Sequence, residues 1–369
     1  MKMRARVQTF IASAALLMAV APVVNLSRAP AAGTDATSRW KLSVLYNLDF
    51  ALPWLSRPLY TLGISINPGQ VVIGRDGWLY LGDDHAASIS AKRLGIDAGV
   101  LQTVNVIAQT SQAWQARLQS LGVHDVRVVV WPDKESVYPQ ALPRWALAAG
   151  QSPLDVLAQK LPPSLFVDTR AALRAARTQL DAPLYYQTDT HWNMLGAWLA
   201  FKHWADAAPA SNVPIRWPAP SSLQSLGTQA ADTGDLARLI RLHSPGGDRE
   251  PRVRFDTEAP VTTLSVDFGS GVELGRGGNG FVAPPAKPML VHAQGALNQA
   301  RVLWLRDSFG TAVSPFMAAS FSTTLHVHHH GLNAQALESM VRRFKPDHVF
   351  VTVVERDVFA VLKALGSSP

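Results

Sequence analysis

The sequence predicts a three-layer α/β/α protein with a mostly parallel central sheet and a small β-rich insertion. Short apolar runs typical of buried strands alternate with segments of helical periodicity. Three of those runs, 126–131, 302–305 and 349–354, end in charged or polar residues. Alternating strands and helices imply βαβ units and a parallel sheet. Polar residues at the carboxyl ends of such strands face a cleft, which is where function is expected.

Residues 1–30 are predicted to be a signal anchor or a signal peptide. Lys2, Arg4 and Arg6 precede a largely apolar run at 7–24, the pattern of an export signal. A helix of about 18 residues is about 27 Å long, which is marginal for crossing a bilayer. Ala29-Pro30-Ala31 offers a cleavage site, but we favour an uncleaved anchor. The remaining chain is then expected in the periplasm, anchored to the inner membrane.

Residues 31–69 are predicted to connect this segment to one domain, 70–369, with a surface insertion at about 208–290. Asp76-Gly77 lies between alternating apolar residues and predicts a hairpin at 71–84, with Trp78 and Tyr80 as packing residues. Further strands are expected at 165–168 and 323–328, and helices at 100–121, 170–180, 193–204, 312–319 and 334–344. In the insertion we expect two antiparallel strands, 261–268 and 280–290, joined by a flexible glycine-rich stretch.

Composition excludes several classes of function. The chain has no cysteine, so thiol catalysis, disulfides and thiolate metal sites are excluded. A net charge of +7 favours an acidic surface or polyanionic partner. No dense basic run with interleaved aromatic residues occurs, so we do not expect nucleic-acid binding.

Ser308 is a nucleophile candidate because it lies where the strand 302–305 ends and a helix is expected to begin. A hydroxyl at that turn would be displayed to the cleft. The alternative is that Ser308 caps the helix that follows it.

Asp189 and His191 are the candidate base pair for such a serine. A hydroxyl needs an imidazole to take its proton, and a carboxylate orients the imidazole through its other nitrogen. The alternative is that Asp189 or Thr190 caps the next helix and that His191 is a surface residue.

Other polar residues follow the remaining strands. Asp133, Lys134 and Tyr138 follow the strand 126–131 and are candidates to line the same cleft, although Lys134 could equally be a surface charge. Glu355 and Arg356 are expected to form an ion pair near the cleft floor. His326, His328 and His330 alternate along a strand, so a metal site is conceivable. We favour polar residues at a sheet edge.

Five segments, in this order, resemble the AlgJ/AlgX-type polysaccharide O-acetyltransferases: GRDGWLYLGDD, VVVWPDKESVYP, DTHWNMLGA, LWLRDSFG and KPDHVFVTVVERD. The resemblance covers residues 71–361 and implies an SGNH-hydrolase-like domain. It implies Ser308 as nucleophile, His191 as general base and Asp189 as its orienter. It further implies acetyl transfer through an acetyl-serine to an exported polysaccharide, alginate-like or other. The acetyl donor would be a membrane-bound MBOAT-type acyltransferase, and no cofactor is expected.

The sequence departs from the family pattern in two places. Arg306 stands where SGNH enzymes have a small residue, so it is a candidate to bind a polysaccharide carboxylate or to form the cleft wall. No Gly-x-Asn-Asp block supplies an oxyanion asparagine, which leaves the Ser308 N–H as the one donor we name. Trp192 is a further candidate beside His191. The chain ends soon after its last strand, as in the anchored AlgJ type.

Two other functions share these features. An acetyl esterase would use the same triad with water as acceptor. A non-catalytic polysaccharide-binding component of an export complex would keep the fold and tolerate loss of Ser308 or His191.

Overall fold

The computed structural model of the protein describes residues 2–28, 40–93, 95–147, 150–207, 214–242 and 248–366. The candidate cleavage site Ala29-Pro30-Ala31 lies outside these residues. The first helix, α1 (Lys2–Ser27), is apolar and long enough from Met3 onward to cross a membrane. This agrees with an anchor or signal segment.

The remaining helices agree closely with the predicted ones where both exist. They are α2 (Leu42–Leu45), α3 (Leu52–Thr61), α4 (Ser90–Arg93), α5 (Ala98–Ser120), α6 (Lys134–Val137), α7 (Pro153–Lys160), α8 (Arg170–Gln179), α9 (Met194–Asp206), α10 (Asp235–Leu239), α11 (Gly310–Ser320), α12 (Ala334–Phe344) and α13 (Val358–Gly366). The strands are β1 (Val71–Ile73), β2 (Leu79–Leu81), β3 (Asp125–Trp131), β4 (Phe166–Asp168), β5 (Leu223–Ala231), β6 (Asp248–Phe255), β7 (Thr262–Asp267), β8 (Glu273–Gly278), β9 (Met289–Gln294), β10 (Asn298–Arg306), β11 (Phe321–His328) and β12 (His348–Val354).

The central sheet is mixed rather than mostly parallel. Its eight strands run in the order β4-β3-β12-β10-β11-β9-β7-β8. The first five are parallel to one another, whereas β9, β7 and β8 add antiparallel pairings. A mostly parallel sheet is therefore not confirmed, because β7 and β8 of the insertion extend the main sheet instead of forming a separate element.

The glycine-rich stretch and its neighbour were assigned wrongly within this extension. Residues 273–278 form the edge strand β8, although glycine disfavours strands, because β7 offers backbone partners from Thr262 to Val266. The expected strand at 280–290 overlaps β9 only at its last two residues. Pairing with a neighbouring strand therefore outweighs local propensity here.

Helices cover both faces of the parallel part of the sheet, so three layers are present. Alternate residues of β3 point to opposite sides. Val128 and Val130 pack in a core with α5, α7, α12 and α13, while Val129 and Trp131 pack with α8, α9 and α11. All four are fully buried, and burial of such a side chain stabilises the fold by about 1.5–3 kcal/mol. This double burial explains the continuous apolar runs in the sequence.

Two hairpins lie outside the central sheet. In the first, β1 and β2 pair antiparallel around Asp76 and Gly77, whose φ angles of 53° and 80° suit an Asp-Gly turn. Trp78 stacks on Tyr138 with ring centroids 4.3 Å apart, as expected of a packing residue. The second hairpin, β5–β6, forms its own two-stranded sheet from the insertion.

The histidines of β11 do not lie on an edge strand, because β11 pairs with β10 on one side and β9 on the other. His326 is buried and contacts Arg306 Nη1 at 3.2 Å and Thr324 Oγ1 at 2.9 Å. Within the described residues these histidines form no group of three metal ligands. The sheet-edge interpretation was therefore wrong, and His326 is a core residue.

Candidate active site

Ser308 lies in the sharp turn between β10 and α11. Asp307 is buried and fixes this turn, because its carboxylate accepts from the N–H of Phe309 at 2.9 Å and of Val354 at 2.7 Å. Burial alone would raise the pKa of Asp307, but the hydrogen bond and charge of His329 and the Val354 N–H outweigh it and lower the pKa. An ionised carboxylate thus holds the backbone on which Ser308 is displayed.

His191 connects Ser308 to Asp189. Its Nε2 lies 2.8 Å from Ser308 Oγ, and its Nδ1 lies 2.7 Å from Asp189 Oδ1. A carboxylate beside Nδ1 keeps the proton there, so Nε2 can accept the serine O–H. Burial would raise the pKa of Asp189, but the hydrogen bond and charge of His191 hold it well below its ordinary value. The structure therefore joins the three residues in the order that acyl transfer requires.

The capping alternatives are not found. Helix α9 is capped by Asn193, whose side chain accepts from the N–H of Leu195 and Gly196. The cap residue of α11 is Phe309, which makes no side-chain cap bond. Ser308 and Asp189 are thus free for the hydrogen bonds to His191.

Lys134 holds the segment that carries this pair. Its Nζ donates to three backbone carbonyls, those of Tyr186 and Gln187 at 3.0 Å and of Asp189 at 2.6 Å. Its side chain lies beneath this segment, and the residue is only 3% exposed. The expectation that Lys134 lines the cleft, or is a surface charge, was therefore wrong. It positions the backbone of the acid–base pair.

The insertion holds the same segment from the other side. Asp248 accepts from the N–H of Gln187 at 2.6 Å and from Thr188 Oγ1 at 2.6 Å. Gly234 donates its N–H to Thr188 Oγ1 at 2.9 Å. A Cβ on Gly234 would lie 2.3 Å from the Thr188 carbonyl, so only glycine fits there. The insertion is therefore part of the site's framework.

Asp235 is a functional candidate that sequence reasoning missed. Its N–H donates to Asp189 Oδ2 at 2.8 Å, and its carboxylate accepts from Thr190 N–H at 2.7 Å and Thr190 Oγ1 at 2.6 Å. Thr190 Oγ1 lies 3.1 Å from His191 Nδ1, and Asp235 Oδ2 lies 3.8 Å from it. A second carboxylate thus stands beside the imidazole. No sequence spacing connects residue 235 to residue 189, so only the fold shows this.

Among the described residues, one group has the geometry of three metal ligands. Ligand atoms of Asp189, His191 and Asp235 lie within 4.8 Å of one another. Both carboxylates already accept hydrogen bonds, and a metal would replace the bond between Asp189 and His191 Nδ1. We therefore assign the group as a hydrogen-bonded set, and the absence of a metal requirement stays a prediction.

Ser308 and His191 open onto a cleft of about 510 Å³. One wall comes from the nucleophile turn and α11, including Phe309, Thr311 and Ala312. The opposite wall comes from the insertion and includes Gln229, Glu250, Arg252 and Phe281. The hydroxyl of Tyr186 donates to Glu250 and ties this wall to the segment that carries Asp189 and His191. The insertion therefore lines the space that an acceptor would occupy.

The other sequence candidates lie behind the cleft surface. Arg306 is fully buried, and its guanidinium donates to Val282 O at 2.8 Å and Thr311 Oγ1 at 3.1 Å. Burial lowers the pKa of Arg306 to about 10. The Tyr138 hydroxyl accepts from Leu184 N–H at 2.9 Å. Neither side chain reaches the cleft, so contact with a polysaccharide is not expected of either. Arg306 supports Thr311, which does line the cleft.

Trp192 borders the cleft but is only 2% exposed. Its Nε1–H donates to Phe309 O at 3.1 Å. This bond links the segment that carries His191 to the turn that carries Ser308. The indole N–H is therefore not free for a substrate.

Charged residues at the carboxyl ends of β3 and β12 form a buried network away from the cleft. Asp133 pairs with Lys92 at 2.7 Å and with Arg356, while Glu355 pairs with Arg170 at 3.4 Å. Glu355 and Arg356 thus have different partners, contrary to the expected ion pair. These contacts also hold the Asp133 side chain outside the cleft. The network ties the carboxyl ends of β3 and β12 to Lys92 of α4 and Arg170 of α8.

The position of Lys134 gives a prediction on stability against pH. Burial lowers its pKa to about 8 from an ordinary 10.5, with Asp189 and Asp248 opposing part of the decrease. Between these values the unfolded chain binds more protons than the folded chain, so this group makes the unfolding free energy rise with pH. From about pH 8 to pH 10.5, the wild type should gain up to about 3 kcal/mol relative to Lys134→Met.

Urea unfolding of both proteins at the two pH values measures this gain. The other titrating groups are common to both proteins, so their contributions cancel in the difference between the two unfolding free energies. Parallel pH dependences would show that folding does not lower the pKa of Lys134.

Comparison with known proteins gives a family and a fold. Residues 71–267 match the family described as "SGNH hydrolase-like domain, acetyltransferase AlgX". The match includes Asp189 and His191 and ends before Ser308. A curated relative, the "Probable alginate O-acetylase AlgJ" of Pseudomonas aeruginosa, is 29% identical over 224 residues, 58% of this chain and 53% of the relative. The chain thus spans about half the length of that relative.

Two solved structures are similar in fold. PatB1 of Bacillus cereus, solved with a sulfonyl adduct, has a TM-score of 0.54 at 16% identity and covers 80% of this chain and 99% of its own. A DHHW family protein of Eubacterium siraeum has a TM-score of 0.53 at 20% identity and covers 83% and 94%. Together with the match over more than half of the sequence, this confirms the SGNH-hydrolase-like α/β domain. The chain belongs to the AlgX family of SGNH hydrolase-like acetyltransferase domains.

Proposed function

We propose that this protein transfers acetyl groups to hydroxyls of an exported polysaccharide through an acetyl-Ser308 intermediate. The observation that carries this proposal is the hydrogen-bonded series Ser308–His191–Asp189, which opens onto a cleft in a member of an acetyltransferase family. Alginate-like polymers and other exopolysaccharides are the acceptor class.

In the first half-reaction, Ser308 Oγ attacks the carbonyl carbon of the acetyl donor. His191 Nε2 takes the hydroxyl proton, and Asp189 stabilises the resulting imidazolium through Nδ1–H. The Ser308 N–H donates to the oxyanion; the Phe309 N–H is already bound by Asp307 and is not a second donor. As the tetrahedral intermediate collapses, the proton moves from Nε2 to the departing group. Acetyl-serine remains.

In the second half-reaction, a sugar hydroxyl replaces the departing group. His191 Nε2 removes its proton as the oxygen attacks the acetyl carbon, and the proton then returns to Ser308 Oγ. The wall formed by Glu250, Arg252 and Phe281 would hold the polymer against Ser308. No cofactor takes part in either step.

The acetyl donor would be a membrane-bound MBOAT-type acyltransferase. The apolar helix α1 would anchor the protein in the inner membrane, with the catalytic domain in the periplasm. This arrangement places the acceptor on the same side of the membrane as Ser308.

The fate of the acetyl group tests the proposal. The full-length protein is incubated with 4-nitrophenyl acetate, and intact-protein mass spectrometry follows the acetyl adduct before and after addition of a polyuronate or a neutral glucan. Loss of the adduct with ester-bound acetyl on the polymer is expected. Release of free acetate at a rate that no polymer changes would identify an esterase. Polymer binding without any adduct would identify a binding protein.

We also propose that Asp235 positions and supports the triad through Thr190. Loss of one charge-assisted hydrogen bond in this series should slow Ser308 modification about tenfold in Asp235→Asn and in Thr190→Val. Thr190→Ser keeps the hydroxyl and should behave as the wild type. The rate of sulfonyl fluoride labelling, followed by mass spectrometry, measures the effect.

The double variant separates this role from a structural one. If the two residues act in one series, Asp235→Asn with Thr190→Val should lose little more than either single change. Asp232→Asn is the matched control, because Asp232 is exposed and only three residues away. Wild-type labelling of both Asp235→Asn and Thr190→Val would contradict the assignment.

A further inference from the structure

Exposed apolar side chains are concentrated in one short segment, residues 40–64, which we call the juxtamembrane segment. It contains nine large hydrophobic residues that are at least 41% exposed, as many as all the described residues from 65 to 366 together. They are Trp40, Leu42, Val44, Tyr46, Leu48, Trp54, Leu55, Leu62 and Ile64. Soluble surfaces rarely expose so many apolar groups together, so this density marks a contact surface.

The juxtamembrane segment is attached to the end of α1. Asn25, in the last turns of α1, donates its Nδ2–H to Leu45 O at 2.8 Å and to Asn47 O at 2.7 Å. Arg28 lies over the ring of Phe50, 5.7 Å from its centroid. Helix α1, which is long and apolar enough to cross a membrane, therefore contacts α2 directly at its C-terminal end.

Helix α3 shows that this exposure is one-sided. Its inner face carries Ser56, which is buried, and Tyr60, which packs against β1, β2 and α10 and donates to Gly77 O at 3.3 Å. Its outer face carries Trp54, which is 83% exposed, with Leu55 beside it. One face thus fastens to the catalytic domain, and the other has no partner in the described part of the chain.

The chemistry of the outer face fits a lipid surface. Only three residues of the juxtamembrane segment are charged, Lys41, Asp49 and Arg57. Trp and Tyr are enriched at membrane–water boundaries, where their rings sit at headgroup level. Amphipathic helices with Trp and Leu on one face lie in that boundary with this face at the acyl region. The bilayer is also the surface that α1 brings closest.

We propose that residues 40–64 lie in the headgroup region of the bilayer that α1 crosses and hold the catalytic domain against the membrane face. The attachment is rigid on the protein side, because Tyr60 shares a buried cluster with Leu236 and Ala237 of α10. Helix α10 also presents Asp235 to the triad. The active-site cleft would therefore keep one fixed orientation to the membrane, which α1 alone would not impose.

The absence of cysteine permits a direct test in the full-length protein. Trp54→Cys and Leu62→Cys introduce single thiols on the outer face, and Trp145→Cys serves as control, since Trp145 is also an exposed tryptophan but lies outside the segment. Each protein is labelled with a nitroxide and reconstituted in phosphatidylethanolamine–phosphatidylglycerol liposomes. Power-saturation EPR then compares collisions with oxygen, which partitions into lipid, and with a water-soluble nickel chelate.

At positions 54 and 62 we expect oxygen to relax the label severalfold more than the nickel chelate, and the reverse at position 145. Labelling of Ser308 by a sulfonyl fluoride at the wild-type rate shows that each variant is folded. Nickel accessibility at 54 and 62 equal to that at 145 would overturn the proposal. Shielding from both reagents would also overturn it, because it would show a protein partner or a second copy on this face.

Discussion

Ser308→Ala is expected to abolish acetyl transfer and acetyl-enzyme formation. Without Oγ, no covalent intermediate can form, and His191 Nε2 loses the hydroxyl that lies 2.8 Å away. In serine hydrolases, removing the nucleophile lowers kcat by about 10⁶. Release of 4-nitrophenol from 4-nitrophenyl acetate, with the protein's mass recorded in parallel, measures the loss.

Ser339→Ala is the matched control for this change. Ser339 is an exposed serine on α12, remote from the cleft, so its replacement should leave the rate and the adduct unchanged. If Ser308→Ala still carried an acetyl group and transferred it to polymer, the nucleophile would be a different residue.

Asp189→Asn is expected to lower kcat by about 10⁴. The carboxylate accepts three hydrogen bonds, from Nδ1 of His191, from the N–H of His191 and from the N–H of Asp235. An amide can present its NH₂ group to Nδ1 and so favour the tautomer with the proton on Nε2. That tautomer cannot accept the proton of Ser308. Steady-state kinetics with the aryl ester, together with the rate of adduct formation, measure the effect.

Asp181→Asn controls for the loss of one negative charge, because Asp181 is exposed and lies upstream on the same segment. Its kinetics should match those of the wild type. If Asp189→Asn retained more than about a tenth of wild-type kcat, Asp189 would not set the tautomer of His191.

The parts of the fold that were predicted are those fixed by local pattern. Strands such as β3 and β12 are buried on both faces, so their sequences are apolar throughout and end abruptly at polar residues. The polar residues that follow β10 indicated Ser308 in the same way. The motif around His191 indicated His191 and Asp189. Residue type and position at a strand end were enough to select three residues that the structure joins by hydrogen bonds.

The parts that were missed depend on contacts between distant segments. Lys134 bonds carbonyls more than fifty residues away, and Asp235 lies 46 residues from Asp189. No local pattern distinguishes a lysine that supports a backbone from one that faces solvent. Strand β8 was missed for the same reason, since only its pairing with β7 makes a glycine-rich segment extended. The supporting residues of a site are therefore harder to predict than its reacting groups.

The insertion both lines the cleft and supports the segment that carries Asp189 and His191. This combination limits how polymer specificity can be engineered or can diverge among relatives. The hairpin β5–β6 lines the cleft, so exchanging it is the obvious way to recognise a different polymer. Gly234, which follows β5, and Asp248, the first residue of β6, both bond the Thr188 hydroxyl, and Asp248 also accepts from the Thr188 N–H. A graft that replaced the whole insertion would change recognition and disable the acid–base pair together. Only grafts that keep residues 234–248 and exchange β5 and the rest of β6 should give active chimeras with altered acceptors.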